Sequence, residues 1–249
     1  IYYDGEVRAG GKFLHISDAV DRVRRTLAVA SEVRKGAPPG VWITEHSRRI
    51  QVNRDNESVA KVLTTNLGGA LSTADFLIAM AQVPEVKGTS VHALNGVARQ
   101  LFDASVRHND LRPRPVLSAM HVLNTGHDGA VLATRSSGSN LSGYPGGYDV
   151  RATAFADGPD GLAVWVVNRA ARPVMADVAY QPFAGQAVDV LHYYLAGQDG
   201  VSADAVGDDV ILELEPKPEL SRFSDEGVAV VMLPPSSVST FRFRKAPAN

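Results

Sequence analysis

Val41-Trp42-Ile43-Thr44, preceded by Pro38-Pro39-Gly40 and followed by Glu45-His46-Ser47, is the stretch on which the reading of the fold turns. A short β-branched and aromatic run with a proline-glycine stop before it is how a buried parallel strand looks. Parallel strands need crossover helices, so the flanks decide whether the reading holds.

They do contain helices. On the N-terminal side, Ser17 stands where a helix cap belongs, and Asp18 and Asp21 suit the positive end of the helix dipole. Val20, Val23, Leu27, Ala30 and Val33 recur at helical spacing, and Gly36 and Pro38 stop the pattern. Ahead of that helix, Ile1-Tyr2-Tyr3 reads as the end of a strand, with Asp4-Gly5 and Gly10-Gly11 as a loop. On the C-terminal side, residues 58–83 are expected to be helical, with Val59, Val62, Leu63, Leu67, Ala70, Leu71 and Ala74 on one side. Gly68-Gly69 should bend or divide that stretch. Residues 86–94 read as another strand. Pro113 and Pro115 open a last helix carrying Val116, Ala119, Met120 and Leu123, with Gly126 after its end. Strand and helix in alternation imply right-handed βα units on a parallel sheet.

After Gly126 the period changes from helix to strand. Alternating segments fall at 131–134, 150–156, 162–168, 174–180, 187–194, 210–214, 228–233 and 238–243, separated by turns such as Asp157-Gly158-Pro159-Asp160-Gly161. Such spacing predicts an antiparallel β-sandwich. The Gly/Ser-rich run 136–148 is expected to be a long loop within it. The fold class is therefore α/β plus all-β. Residues 1–126 supply the last βα units of a (β/α)8 TIM barrel and residues 127–249 a C-terminal β-sandwich. Three βα units cannot close a barrel, which needs eight strands. The expectation is that an N-terminal barrel half, as a second chain or a missing segment, completes it.

Composition narrows the function classes. The 249 residues are 45% hydrophobic, with a formal net charge of -2. The pairs Arg24-Arg25 and Arg48-Arg49 are too short to track a nucleic-acid backbone. With no cysteine, disulfides, thiolate metal sites and cysteine nucleophiles are excluded. No apolar run approaches the roughly 20 residues that cross a bilayer as a helix, and no signal-peptide pattern occurs. The compartment stays open. His15, His46 and His92 lack the spacing and acidic neighbours of a metal site, and no cofactor is expected.

In a barrel, functional side chains sit at the C-terminal ends of strands. Here those positions hold Tyr2 and Tyr3, then Glu45 and His46, then His92 and Asn95. Glu45 is the strongest candidate, either as a carboxylate aimed into the barrel mouth or as a glutamate that merely ends a strand in solvent. Tyr2 or Tyr3 could hydrogen-bond that carboxylate, although alternation lets only one of them face inward. His92 and Asn95 could contact a ligand or pack, and His46 could support Glu45 or touch the ligand. Trp165 and Tyr193-Tyr194 read as core or sheet surface.

Several phrases carry a resemblance. VWITEHS at 41–47, PEVKGTSVHALNG at 84–96, RPVLSAMHVLNTG at 114–126, LAVWVVNRA at 162–170 and MLPPSSVSTFRFR at 232–244 are together similar to the C-terminal half of α-L-arabinofuranosidases of glycoside hydrolase family 51. Those enzymes combine a clan A barrel with a β-sandwich. The resemblance implies that Glu45 is the nucleophile of a retaining glycosidase and that the substrate is an arabinose-containing oligo- or polysaccharide. It also implies an acid/base residue on a strand that this sequence does not contain, and assembly into homo-oligomers. The family places Trp after this Glu, where this chain has His46, which leaves the substrate open. Two alternatives stand beside it: a non-catalytic carbohydrate-binding or structural β-domain, and a clan A glycosidase of other specificity, such as a xylosidase or glucuronidase.

Overall fold

A computed structural model of the chain describes residues 1–3, 16–48, 64–92, 101–105, 110–125, 129–138, 149–198 and 210–246. The first part contains β1 (Tyr2–Tyr3), α1 (Ile16–Arg34), β2 (Val41–Arg48), α2 (Leu67–Ala81), β3 (Val86–Val91), the hairpin β4 (Phe102–Ser105) and β5 (Asp110–Pro113), and α3 (Pro115–Leu123). Strands β1, β2 and β3 form a parallel sheet in that order. The connections run through helices, as parallel pairing demands.

Several boundaries differ from expectation. α1 begins at Ile16, so Ser17 lies inside its first turn and does not cap it. Its buried stripe is Ile16, Ala19, Val20, Val23 and Leu27; Val33, one turn beyond the packing partners, is exposed. β2 does not stop at Thr44 but continues through Glu45, His46 and Ser47 to Arg48. β3 ends at Val91, three residues short of the expected end, and residues 93–94 lie outside the described ones. The break in the second helix falls at Asn66, not at Gly68-Gly69. Its side chain accepts a hydrogen bond from the Gly69 amide at 3.0 Å and caps α2. Gly69 is required for another reason: a Cβ there would lie 2.1 Å from the Thr64 carbonyl oxygen.

The remaining strands are β6 (Val131–Leu132), β7 (Val150–Ala156), β8 (Gly161–Asn168), β9 (Val174–Ala179), β10 (Ala187–Ala196), β11 (Ile211–Glu213), β12 (Glu219–Arg222), β13 (Val228–Leu233) and β14 (Ser237–Lys245). A seven-stranded sheet runs β11-β10-β14-β8-β7-β6, with β12 also paired to β10. β9 and β13 form a separate antiparallel pair. The two sheets enclose a core of Leu162, Val164 and Val166 from β8, Phe241 and Phe243 from β14, and Ala229, Val231 and Leu233 from β13. Leu233-Pro234-Pro235-Ser236-Ser237 is the turn that carries the chain from one sheet to the other. Asn168 pins it: its side-chain amide donates to the carbonyls of Pro234 at 2.8 Å and Arg172 at 3.1 Å. Ser236 takes a left-handed φ of 42° there.

The other face of the seven-stranded sheet packs on helices. Val167, Leu195 and Val238 share a core with Leu67, Ala70, Leu71, Ala74 and Ile78 of α2 and with Val116, Ala119, Val122 and Leu123 of α3. Phe76, Ala79 and Met80 on the opposite flank of α2 join Tyr3, Ile43 and the α1 stripe in another core. α2 is therefore buried nearly all round, which is why its sequence is apolar on every side. Its lone acid, Asp75, is buried and paired with Arg151 of β7 and with Arg169, the latter at 3.0 Å. At its C-cap, Gln82 donates to the Leu132 carbonyl at 3.1 Å and accepts from the Thr134 amide at 3.0 Å. Parallel sheet and sandwich are thus joined through one helix.

Candidate active site

The parallel sheet carries the candidate residues, and a departure from regular pairing decides where each one points. β2 pairs with β3 at Ile43↔Thr89 and then, after a register shift, at His46↔Val91. Strict alternation would place residues 43, 45 and 47 on one face. The irregularity changes the phase, so that Ile43 and His46 both face the helices and Glu45 turns outward. Bulges near functional sites re-aim side chains in this way.

Glu45 meets His92. Nδ1 of His92, the residue just past β3, lies 2.5 Å from Oε1 of Glu45, with the two side chains 32% and 43% exposed. The backbone sets up this approach, since the His92 amide donates to the His46 carbonyl at 2.8 Å. An imidazole N–H can donate and a carboxylate oxygen accept, so this contact is a hydrogen bond between His92 Nδ1 and Glu45 Oε1. The bond takes one carboxylate oxygen and leaves Oε2 for other chemistry.

Behind the sheet lies a different arrangement. The Tyr3 hydroxyl is 3.0 Å from Nδ1 of His46, and both residues are fully buried. Phe76 stacks on Tyr3 at 4.5 Å and contacts the His46 ring at 4.6 Å. Burial pushes the His46 pKa down from 6.5 to about 3, so the ring is neutral. Of the two expectations for these residues, His46, expected to support Glu45 or touch the ligand, packs in the core with the helices, and the hydroxyl of Tyr3, one of the two tyrosines expected to orient Glu45, meets His46. Of Tyr2 only the backbone is described, and Asn95 lies outside the described residues. The pairing of Glu45 with His92 and the outward turn of Glu45 had no signal in the sequence, because both arise from the register shift.

One more feature belongs to the same open face. Trp42 is 68% exposed, and its ring lies directly over Gly88 of β3. A Cβ at Gly88 would come within 2.3 Å of the indole. Gly88 is thus the notch that lets a large ring lie flat across the sheet. Among the described residues no three histidines or carboxylates gather as a metal site would require.

No protein-family model matches the sequence, and no curated protein matches it. Solved structures do. The GH51 α-L-arabinofuranosidase from Thermotoga petrophila RKU-1 superposes with a TM-score of 0.62 at 12% identity, over 97% of this chain and 51% of that one. The chain shares the fold of glycoside hydrolases. The β-porphyranase of glycoside hydrolase family 86 from Bacteroides plebeius gives a TM-score of 0.57 at 12% identity, covering 99% of this chain and 41% of its own. A family 30 subfamily 8 xylanase from Clostridium acetobutylicum gives 0.52 at 14% identity, covering 86% and 44%. This chain spans about half the length of the structures it resembles or less.

Proposed function

We propose that this chain is the nucleophile-bearing part of a retaining glycosidase that releases α-L-arabinofuranosyl residues. The observation that carries the reading is the Glu45–His92 pair, half exposed near the C-terminal end of the central strand of a parallel sheet. That is where barrel enzymes place their chemistry. On this reading β1, β2 and β3 are the last three strands of a (β/α)8 barrel, residues 127–249 are the attached sandwich, and an N-terminal polypeptide supplies the other strands. The bare indole of Trp42 supports the last point. A ring of that size on an open sheet face belongs under a cover, because leaving it in water forgoes about 2 kcal/mol or more of burial free energy.

Retaining hydrolysis needs two carboxyl groups about 5 Å apart. Oε2 of Glu45 attacks the anomeric carbon as the glycosidic bond breaks, and the departing oxygen takes a proton from an acid on the absent strands. The resulting glycosyl ester on Glu45 is then attacked by water, deprotonated by that same acid in its ionised form, and Glu45 is released. His92 holds the carboxylate in place through the hydrogen bond between its Nδ1 and Oε1.

The test is hydrolysis of an aryl α-L-arabinofuranoside by the purified protein together with any N-terminal polypeptide that accompanies it. Glu45→Gln is expected to remove turnover by about a thousandfold or more. Turnover that survives this change would reject Glu45 as nucleophile. Absence of turnover alongside intact sugar binding favours the non-catalytic carbohydrate-binding alternative. A xylanase among the similar structures keeps a second specificity in view, and a panel of aryl xylosides and glucuronides beside the arabinofuranoside separates the two.

A further inference from the structure

The inner row of β10 runs Val188, Val190, His192 and Tyr194. Val188 and Val190 belong to the core between the sheets, but at His192 and Tyr194 the sandwich opens into a cleft of about 440 Å³. Its floor is aromatic. The His192 ring stacks on Phe241 at 4.0 Å and an angle of 13°, and Tyr194 continues the strip at 4.8 Å from His192. Residues of β13 (Val230, Val231, Met232) and of β12 (Leu220, Ser221) line its sides, and Glu213, Lys217 and Glu219 stand at the rim. Nε2 of His192 lies 3.0 Å from the Ser239 hydroxyl, and burial pushes the ring down to about 4, so it is uncharged near neutrality.

The chemistry of this cleft selects its ligand. An aromatic strip attracts flat apolar surface. The rim mixes two carboxylates with one ammonium, so it offers hydrogen bonds of both kinds without a field that would gather a polyanion. The volume is that of a small-ligand pocket. A ligand with apolar C–H faces and hydroxyls along its edges, and no charge of its own, matches all three features. We propose that the cleft over Tyr194, His192 and Phe241 is a second saccharide site, holding a short neutral run of sugar rings. It is separate from Glu45. Tyr193 and Leu195, the residues that alternate with Tyr194, pack on the helices, so the cleft opens on the opposite face of the seven-stranded sheet. The site stands whether or not Glu45 is a nucleophile.

The chain has four methionines, Met80, Met120, Met175 and Met232, and their methyl resonances report position directly. The Glu45→Gln protein, with any accompanying N-terminal polypeptide, is titrated with arabinoxylan- and arabinan-derived oligosaccharides. The expected result is a saturable shift of the Met232 methyl, weakened about tenfold by Tyr194→Ala and retained in Tyr194→Phe, because the ring and not its hydroxyl supplies the stacking. Glu219→Gln, an exposed change that leaves the fold alone, is expected to weaken binding as well. A shift confined to Met80, which lies in the core beside β2, places the sugar elsewhere and overturns the proposal. So does an unmoved Met232 with all probes, or binding indifferent to both Tyr194→Ala and Glu219→Gln.

Discussion

At the scale of single residues, two histidines on the same pair of strands do opposite things. His92 stands half in solvent and binds a carboxylate, whereas His46 is buried, neutral and bonded to a phenol. Replacing His92 with Ala removes a half-exposed contact worth about 1 kcal/mol or less to stability. If Glu45 is the nucleophile, turnover on an aryl furanoside is expected to drop about ten- to a hundredfold with little change in thermal stability. A His92→Ala protein with unaltered kcat would detach His92 from the chemistry. The buried histidines make a prediction about pH. The unfolded chain protonates them near 6.5, while the folded chain resists until about 3 for His46 and about 4 for His192. Below pH 6.5 the unfolded state therefore binds more protons, so the stability present above 6.5 is lost as pH falls towards those values. Each ring contributes on the order of 1 kcal/mol per pH unit to that slope. Urea unfolding between pH 7 and 4 is expected to show a shallower decline for His46→Gln than for the natural protein. Parallel slopes would place the acid sensitivity elsewhere.

At the scale of elements, α2 carries the greatest structural load. It fills the space between the parallel sheet and the seven-stranded sheet, and Asp75 ties it to Arg151 and Arg169. Removing Asp75 takes from Arg151 and Arg169 the buried carboxylate that they share. Asp75→Ala is accordingly expected to cost about 3–5 kcal/mol, read as a fall in the urea midpoint. A loss below 1 kcal/mol would show that the two arginines find other partners. The elements also show what could be read in advance. The strands 174–179 and 228–233 were legible because one row of each is more buried and the other exposed. β12 was missed because Glu219-Leu220-Ser221-Arg222 follows Pro216 and Pro218 and has no apolar alternation; it exists because β10 offers it an edge. The hairpin β4–β5 was missed because neither Phe102–Ser105 nor Asp110–Pro113 contains a β-branched residue. Glu45 was legible as a strand-end acid, but not its outward turn. That turn depends on the register shift between Ile43 and His46, and His46 follows its Tyr3 and Phe76 partners, which sequence spacing does not specify.

At the scale of the whole molecule, a parallel sheet of three strands carries the half-exposed Glu45–His92 pair and the exposed Trp42. The chain superposes on glycoside hydrolases over about half their length, and the proposed function rests on strands β1 to β3 being the last strands of such a barrel. The most direct test of this account is covalent trapping. The protein, with whatever N-terminal polypeptide accompanies it, is incubated with a fluorinated α-L-arabinofuranosyl substrate bearing a good leaving group, digested, and the modified peptide sequenced by mass spectrometry. The account predicts one added glycosyl group on the peptide VWITEHS, carried by Glu45. A label on any other carboxylate, or turnover of the unmodified substrate with no label at Glu45, contradicts it.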